Sequence, residues 1–268
     1  MSPRPDDREI RNHFLASRSS HYWQETLTKT TDKKRKEKIY IPRFQWILDT
    51  ADEYLSGKKI VADINSKNIS YSRELAKNKN FSGKIIVNPY FDPEEFEEYT
   101  SPENNTRIVR EDDMQKEPGQ KPNIITAFEV IDYTSDVDAL MTRMREMISD
   151  NGLCFITTIS ISGFDLQVLW NHSESVFPLD RINVLSQKGL QIIFKRHGFE
   201  LIEFSTPGML DFNIVEEAYR RDPNKGFPRF IKTMFDRDDE QLKKDFQTFL
   251  QVNKLSSFVR IAAKKKGV

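Results

Sequence analysis

The sequence predicts an α/β fold. It reads as a doubly wound, seven-stranded, mostly parallel sheet with N-terminal helices before it and a helical insertion ahead of the last strand. Three observations carry this. Beyond Gly57, short apolar runs alternate with helix-compatible segments, the pattern of a parallel sheet covered on both faces. A chain of 268 residues, 37% of them hydrophobic, can bury a core of that size. The final apolar run follows a long polar excursion, so the sheet closes only after an insertion.

Residues 1–20 are polar and charged, with Pro3 and Pro5, and are expected to fray. From Tyr22 to Tyr54 the pattern is helical. Tyr22, Trp23 and Leu27, then Ile39, Phe44, Ile47, Leu48 and Ala51, recur at spacings of three and four. Pro42 must start or kink a helix, because it cannot donate a hydrogen bond inside one. The basic run Lys33-Lys34-Arg35-Lys36-Glu37-Lys38 is read as a solvated helix face. A phosphate-binding patch is the other reading, but no aromatic residues interleave with the charges. Residues 1–55 therefore form a helical extension, and residues 56–268 the sheet domain.

Strands are expected at 59–64, 84–88, 107–110, 123–128, 152–159, 199–204 and 258–263. Helices separate the first five, notably at 71–79 and 137–149, where Leu140, Met144, Met147 and Ile148 share a face. Further helices are expected at 164–170 and 186–197, and His197-Gly198-Phe199 reads as a helix stop followed by strand entry. Residues 207–253 form the insertion, a lid or a partner-facing unit. Within it Asp211 is expected to cap a helix with Ile214, Val215, Ala218 and Tyr219 on one side. Two more helices should follow, at 227–235 and 239–250.

Composition narrows the classes. Lys+Arg and Asp+Glu both number 41, so net charge steers the chain toward neither nucleic acid nor acidic lipid. The single cysteine, Cys154, excludes an internal disulfide and fits a reducing compartment. It lies in the apolar run Leu153-Cys154-Phe155-Ile156, where a buried inert thiol is expected rather than a nucleophile. No apolar stretch approaches the roughly 18 residues needed to span a bilayer, and the N-terminus is unlike a signal peptide. A cytoplasmic protein is expected. His13, His21, His172 and His197 lack the spacing of a metal site. Trp170 and Phe177 are read either as core or as lining a pocket.

Local motifs then point to a family. Lys58–Ser70 is a buried-strand run ending in an acid, Asp63. Asn123-Ile124-Ile125-Thr126-Ala127-Phe128-Glu129-Val130-Ile131-Asp132-Tyr133 forms a fourth strand followed by an acid and an aromatic residue. Met147–Leu153 makes a turn into strand five, and Leu185–Leu190 with Phe194–Glu200 makes a helix and a sixth strand. Ser162–Trp170 and Thr206–Asp211 add two further segments. Together these resemble class I S-adenosylmethionine (SAM) methyltransferases, and within them bacterial small-molecule and sugar methyltransferases, over about residues 20–265.

The resemblance implies a Rossmann-like methyltransferase fold, SAM as cofactor and a small-molecule or sugar acceptor. It places Asp63 and Asn65 at the methionine end of the cofactor, Asn88 at the ribose, and Asp113 with Met114 at the adenine. Phe128, closing strand four, joins this cofactor set. Asp132 and Tyr133 are the catalytic candidates, as base or hydroxyl donor; a non-catalytic place on the rim is the other reading. A turn-capping role is likewise open for Asp63.

The chain also departs from the family pattern. Asn65, Lys67 and Ile69 stand where the family has glycines that allow φ > 0 and close approach. Asn88 replaces a carboxylate, Tyr133 a histidine, and Leu179-Asp180-Arg181 a histidine pair. Two functions stay open: a methyltransferase with altered cofactor binding, and an inactive protein of this fold acting as a binding or interaction module. For the latter, Phe, Ile and Met residues of 227–235 are the expected surface for a protein partner or self-association.

Overall fold

The computed structural model describes residues 4–18, 29–88, 90–91, 93–100, 103–114, 121–176, 181–224 and 226–267. Tyr22, Trp23 and Leu27 of the expected first helix lie outside these, as do His21 and Phe177–Asp180.

Seven strands form one sheet: β1 (Ile60–Ile64), β2 (Gly83–Val87), β3 (Thr106–Val109), β4 (Ile124–Phe128), β5 (Leu153–Ile159), β6 (Phe199–Ser205) and β7 (Phe258–Lys265). Their order is β3-β2-β1-β4-β5-β7-β6. β7 runs antiparallel to β5 and β6, and every other pair is parallel. The chain winds outward from β1 to β3, then returns to place β4 on β1's other side. The carboxyl ends of β1 and β4 therefore part at a switch point, where open α/β sheets bind ligands.

The helices described are α1 (Asp7–Ala16), α2 (Lys29–Arg35), α3 (Ile41–Tyr54), α4 (Ile69–Lys77), α5 (Glu111–Met114), α6 (Val137–Met147), α7 (Phe164–Leu169), α8 (Gln187–Arg196), α9 (Asp211–Arg221), α10 (Arg229–Asp236) and α11 (Glu240–Val252). Strand side chains alternate between faces. Ala62, Ile125, Cys154 and Ile156 pack with Ile10 and Phe14 of α1, Leu140 and Met144 of α6, and Phe194 of α8. Val61, Ile124, Leu153 and Phe155 pack on the other side, with Phe44, Trp46 and Ile47 of α3 and Tyr71 and Leu75 of α4. Burial pushes the Cys154 thiol well up, as befits an inert core residue.

Some of these expectations are corrected and others hold. Residues 4–18 are not frayed, because α1 opens on a reciprocal capping box. The Glu9 amide donates to Asp6 Oδ1 at 2.7 Å and the Asp6 amide to Glu9 Oε2 at 2.9 Å. The helix then buries Ile10 and Phe14. Pro42 sits in the first turn of α3, preceded by a π-helical turn at Lys36–Tyr40. Most of the basic run faces solvent, with Lys36 paired to Glu74 at 2.7 Å. Trp170 neither joins the core nor lines the cavity described below: it is 67% exposed and ends α7 at φ 47°.

The insertion builds a core of its own. Phe212 and Val215 of α9 meet Ile231, Met234 and Phe235 of α10 and Leu169 of α7. Three apolar residues expected on a docking surface are thus turned inward, leaving Phe230 exposed. Asp211 is not a helix cap but the first residue of α9. Its carboxylate accepts from the Ser257 amide (2.7 Å), Ser256 Oγ (2.7 Å) and Gln247 Nε2 (2.8 Å), fastening the insertion to the entry of β7. Beside this clamp Gly163 must remain glycine, since a Cβ there would lie 2.2 Å from Ser257 Cα. Among the described residues no helix is long and apolar enough to cross a membrane.

Candidate functional site

The loop from β1 to α4 sets the geometry of the switch point. Among its residues Asn65 alone is left-handed, at φ 51°, a conformation asparagine tolerates better than most residues. Its amide donates to the Val87 carbonyl (2.9 Å), and its own carbonyl accepts from the Tyr133 hydroxyl (2.8 Å). Asn68 caps α4 by accepting from the Tyr71 amide at 3.1 Å. Ile69 is therefore the first helical residue, so its β-branched side chain is not asked to take the left-handed backbone a glycine would allow. Lys67 turns back, placing Nζ 3.2 Å from the Phe14 ring centroid and 2.9 Å from that of Tyr133. Its ammonium lies against two π faces.

A cavity of about 820 Å³ opens where β1 to β4 end, a size suited to a small ligand. Asn65, Asn88, Asp113 and Tyr133 all line it, with Tyr90 and Val130 supplying apolar surface. α1 contributes Asp7 and Arg11. That helix is tied down on the β4 side, where Asp7 Oδ1 accepts from the Ser135 amide (3.1 Å) and Arg4 Nε donates to the Ser135 carbonyl (2.6 Å). Phe14 packs on Tyr90 and Tyr133 at centroid distances of 5.5 and 5.4 Å.

Asp63, Phe128 and Asp132 stand away from the cavity lining. Phe128 belongs to the opposite core, edge-on to Tyr71 at 5.3 Å and under the Arg43 guanidinium at 4.7 Å. Met114 closes α5, but its side chain lies outside the described residues. Asp132 is buried, accepts from Thr158 Oγ1 and pairs with Arg181. Burial pushes its carboxyl up while Arg181 and Thr158 pull it back. Its backbone carbonyl accepts from the Ile182 and Asn183 amides at 2.7 and 2.9 Å, anchoring the segment that carries Arg181. Burial pushes the Tyr133 hydroxyl far above its ordinary value, so it serves as a donor and not as a base near neutral pH.

Asp63 is buried below the loop, where Thr126 Oγ1 donates to it at 2.7 Å and Ser72 Oγ at 3.4 Å. Burial raises its carboxyl from 3.8 to about 7, against the pull of Thr126, Ser66 and Ser72. The folded state thus holds this proton more tightly than the unfolded chain. The associated stability is complete below pH 3.8 and is lost as pH rises through about 7. Asp63→Asn is expected to flatten that decline, by about 4 kcal/mol at most across the window. Urea unfolding of both proteins from pH 4 to 8 checks this; parallel curves would contradict it.

Sequence reasoning missed Glu111. Asn88, at φ 45°, accepts from the Glu111 amide through Oδ1 (3.0 Å) and donates through Nδ2 to Glu111 Oε2 (3.1 Å). Arg143 forms an ion pair with the other oxygen, and Asn88, Glu111 and Arg143 all line the cavity. No local signal marks this group. It follows from the parallel register that sets Val87 beside Val109.

The comparisons with known proteins follow this geometry. A family model described as a methyltransferase domain matches residues 58–203, more than half of the chain. No curated protein matches significantly in sequence. Among solved structures, magnesium protoporphyrin IX methyltransferase from Synechocystis, with bound S-adenosylhomocysteine (SAH), aligns at TM-score 0.58 and 10% identity, covering 97% of this chain and 100% of that one. A SAM-dependent methyltransferase from Clostridium acetobutylicum aligns at TM-score 0.54 and 10% identity, covering 90% and 98%. Phosphoethanolamine N-methyltransferase 2 from Haemonchus contortus, in complex with SAM, aligns at TM-score 0.51 and 15% identity, covering 83% of this chain and 53% of that one. At these identities the likeness is one of fold.

Proposed function

The chain belongs to the methyltransferase-domain family, and from that membership we propose that it binds SAM at the switch point and transfers the methyl group to a small molecule or sugar. The observation that carries this is the composition of the cavity. Of its three acids, Asp7, Glu111 and Asp113, the last two suit hydroxyl and amino donors; Tyr90, Val109 and Val130 suit a purine; Asn65 and Tyr133 border the remainder. These residues fit an adenosyl ligand.

Bound SAM supplies a methyl group already made electrophilic by its sulfonium. What the chain contributes is placement, the main requirement of an in-line transfer. Tyr133 fixes the loop through the Asn65 carbonyl. Asp132 acts as a positioning residue, holding Arg181 and the segment behind it. Asp63 ties the end of β1 to α4 through Ser72 and to β4 through Thr126.

One observation favours a second reading, a protein of this fold that binds without transferring. The Lys67 ammonium rests on two rings beside the cavity, where a sulfonium would meet a like charge. Titration calorimetry with SAM and SAH tests the proposal, and micromolar binding of both is expected. No heat and no thermal shift up to millimolar ligand would sink it. Binding of SAH far tighter than of SAM would favour the second reading, because only SAM carries the charge.

A further inference from the structure

Strand two of this sheet ends in an amide. In doubly wound nucleotide-binding sheets, an acid in the second βα unit accepts from a ribose hydroxyl. Asn88 offers one neutral acceptor there, and that oxygen already takes the Glu111 amide at 3.0 Å. Its amide nitrogen reaches across to β3's end and holds Glu111 Oε2 at 3.1 Å. Arg143 approaches Oε1 from the other side. The carboxylate is thus fixed between two partners on the cavity wall, and its side chain is 19% exposed.

A carboxylate has about four acceptor positions. Asn88 takes one by hydrogen bond and Arg143 pairs ionically with Oε1, so both oxygens keep acceptor capacity on the cavity wall. Burial raises the Glu111 carboxyl, and Arg143 and Asn88 favour the ionised form. A neighbouring pair of hydroxyl donors would favour it further, through charge-assisted bonds. We infer that Glu111 accepts the vicinal hydroxyls of the bound nucleoside, and that Asn88 and Arg143 position it. The acid of strand two has in effect been supplied from the end of strand three. This rests on the reading of the cavity as an adenosyl site.

The alternative is that Glu111 merely latches β2 to β3. Calorimetry with SAH and its 2′,3′-dideoxy analogue separates the two. Wild type should bind SAH at least tenfold more tightly than the analogue. Glu111→Gln should weaken SAH about tenfold and leave the analogue unchanged, so that the preference for the diol disappears. Asn88→Ala, which frees the carboxylate without removing it, should lower the same preference. It provides the test if Glu111→Gln fails to fold. Equal weakening of both ligands, or unchanged SAH affinity, would overturn the assignment alone. Wild type binding neither ligand would overturn the adenosyl reading and this inference with it.

Discussion

Phe155→Ala is expected to lower the unfolding free energy by about 3–5 kcal/mol, the range for truncating a fully buried aromatic residue. Phe155 sits in β5, bonded on one side to β4 and on the other to β7. Its exposure is nil. The ring meets Trp46 edge-on at a centroid distance of 5.0 Å, the arrangement that ring quadrupoles prefer. Removal would leave a cavity bounded by β-strands on one side and α3 on the other. Strands bonded on both edges cannot collapse into such a space, so little of the loss is recovered. Urea denaturation reads the effect. A loss below about 1 kcal/mol would mean that α3 does not seal this face of the sheet.

Asp211→Ala should cost about 3 kcal/mol for a different reason. Its carboxylate is 2% exposed and accepts from Ser256 Oγ, the Ser257 amide and Gln247 Nε2. Truncation leaves a buried backbone N–H and a buried hydroxyl without an acceptor, and an unpaired buried group costs more than the bond it made. The same denaturation measurement applies, with Asp211→Asn as comparison: one acceptor oxygen survives, so part of the loss should be restored. Equal behaviour of the two variants would show that the carboxylate does not fasten α9 to β7.

How much of this was legible in the sequence depends on the range of the interactions. Strand positions were readable because a strand covered on both faces is a short continuous apolar run, a local signal: Leu153 and Phe155 face one core, Cys154 and Ile156 the other. α8 was readable from its spacing and from the Gly198 stop, which takes φ 70°. α1 was legible too, in the Asp6-Asp7-Arg8-Glu9 capping box, but the polarity of the segment obscured it. The glycine slots misled. Their family role was carried over to Ile69, whereas the Asn68 cap starts the helix there and removes the need for unusual backbone.

The site was less legible than the fold. Asn65, Asn88, Asp113 and Tyr133 come together as strand ends must, since successive parallel strands deliver their next residues to one edge. Which of them would face another protein group could not be read. The resemblance places Asn88 at the ribose, yet its amide is engaged by Glu111, a partner fixed by sheet register and not by proximity along the chain. Asp211 was mistaken for a cap because its partners lie 36 to 46 residues away.

A crystal structure of the protein grown with SAH tests the central claim most directly. The account predicts the nucleoside in the cavity between Asn65, Asn88, Glu111 and Tyr133, with its ribose hydroxyls on the Glu111 carboxylate. SAH seated elsewhere, with that cavity left to solvent, would contradict it.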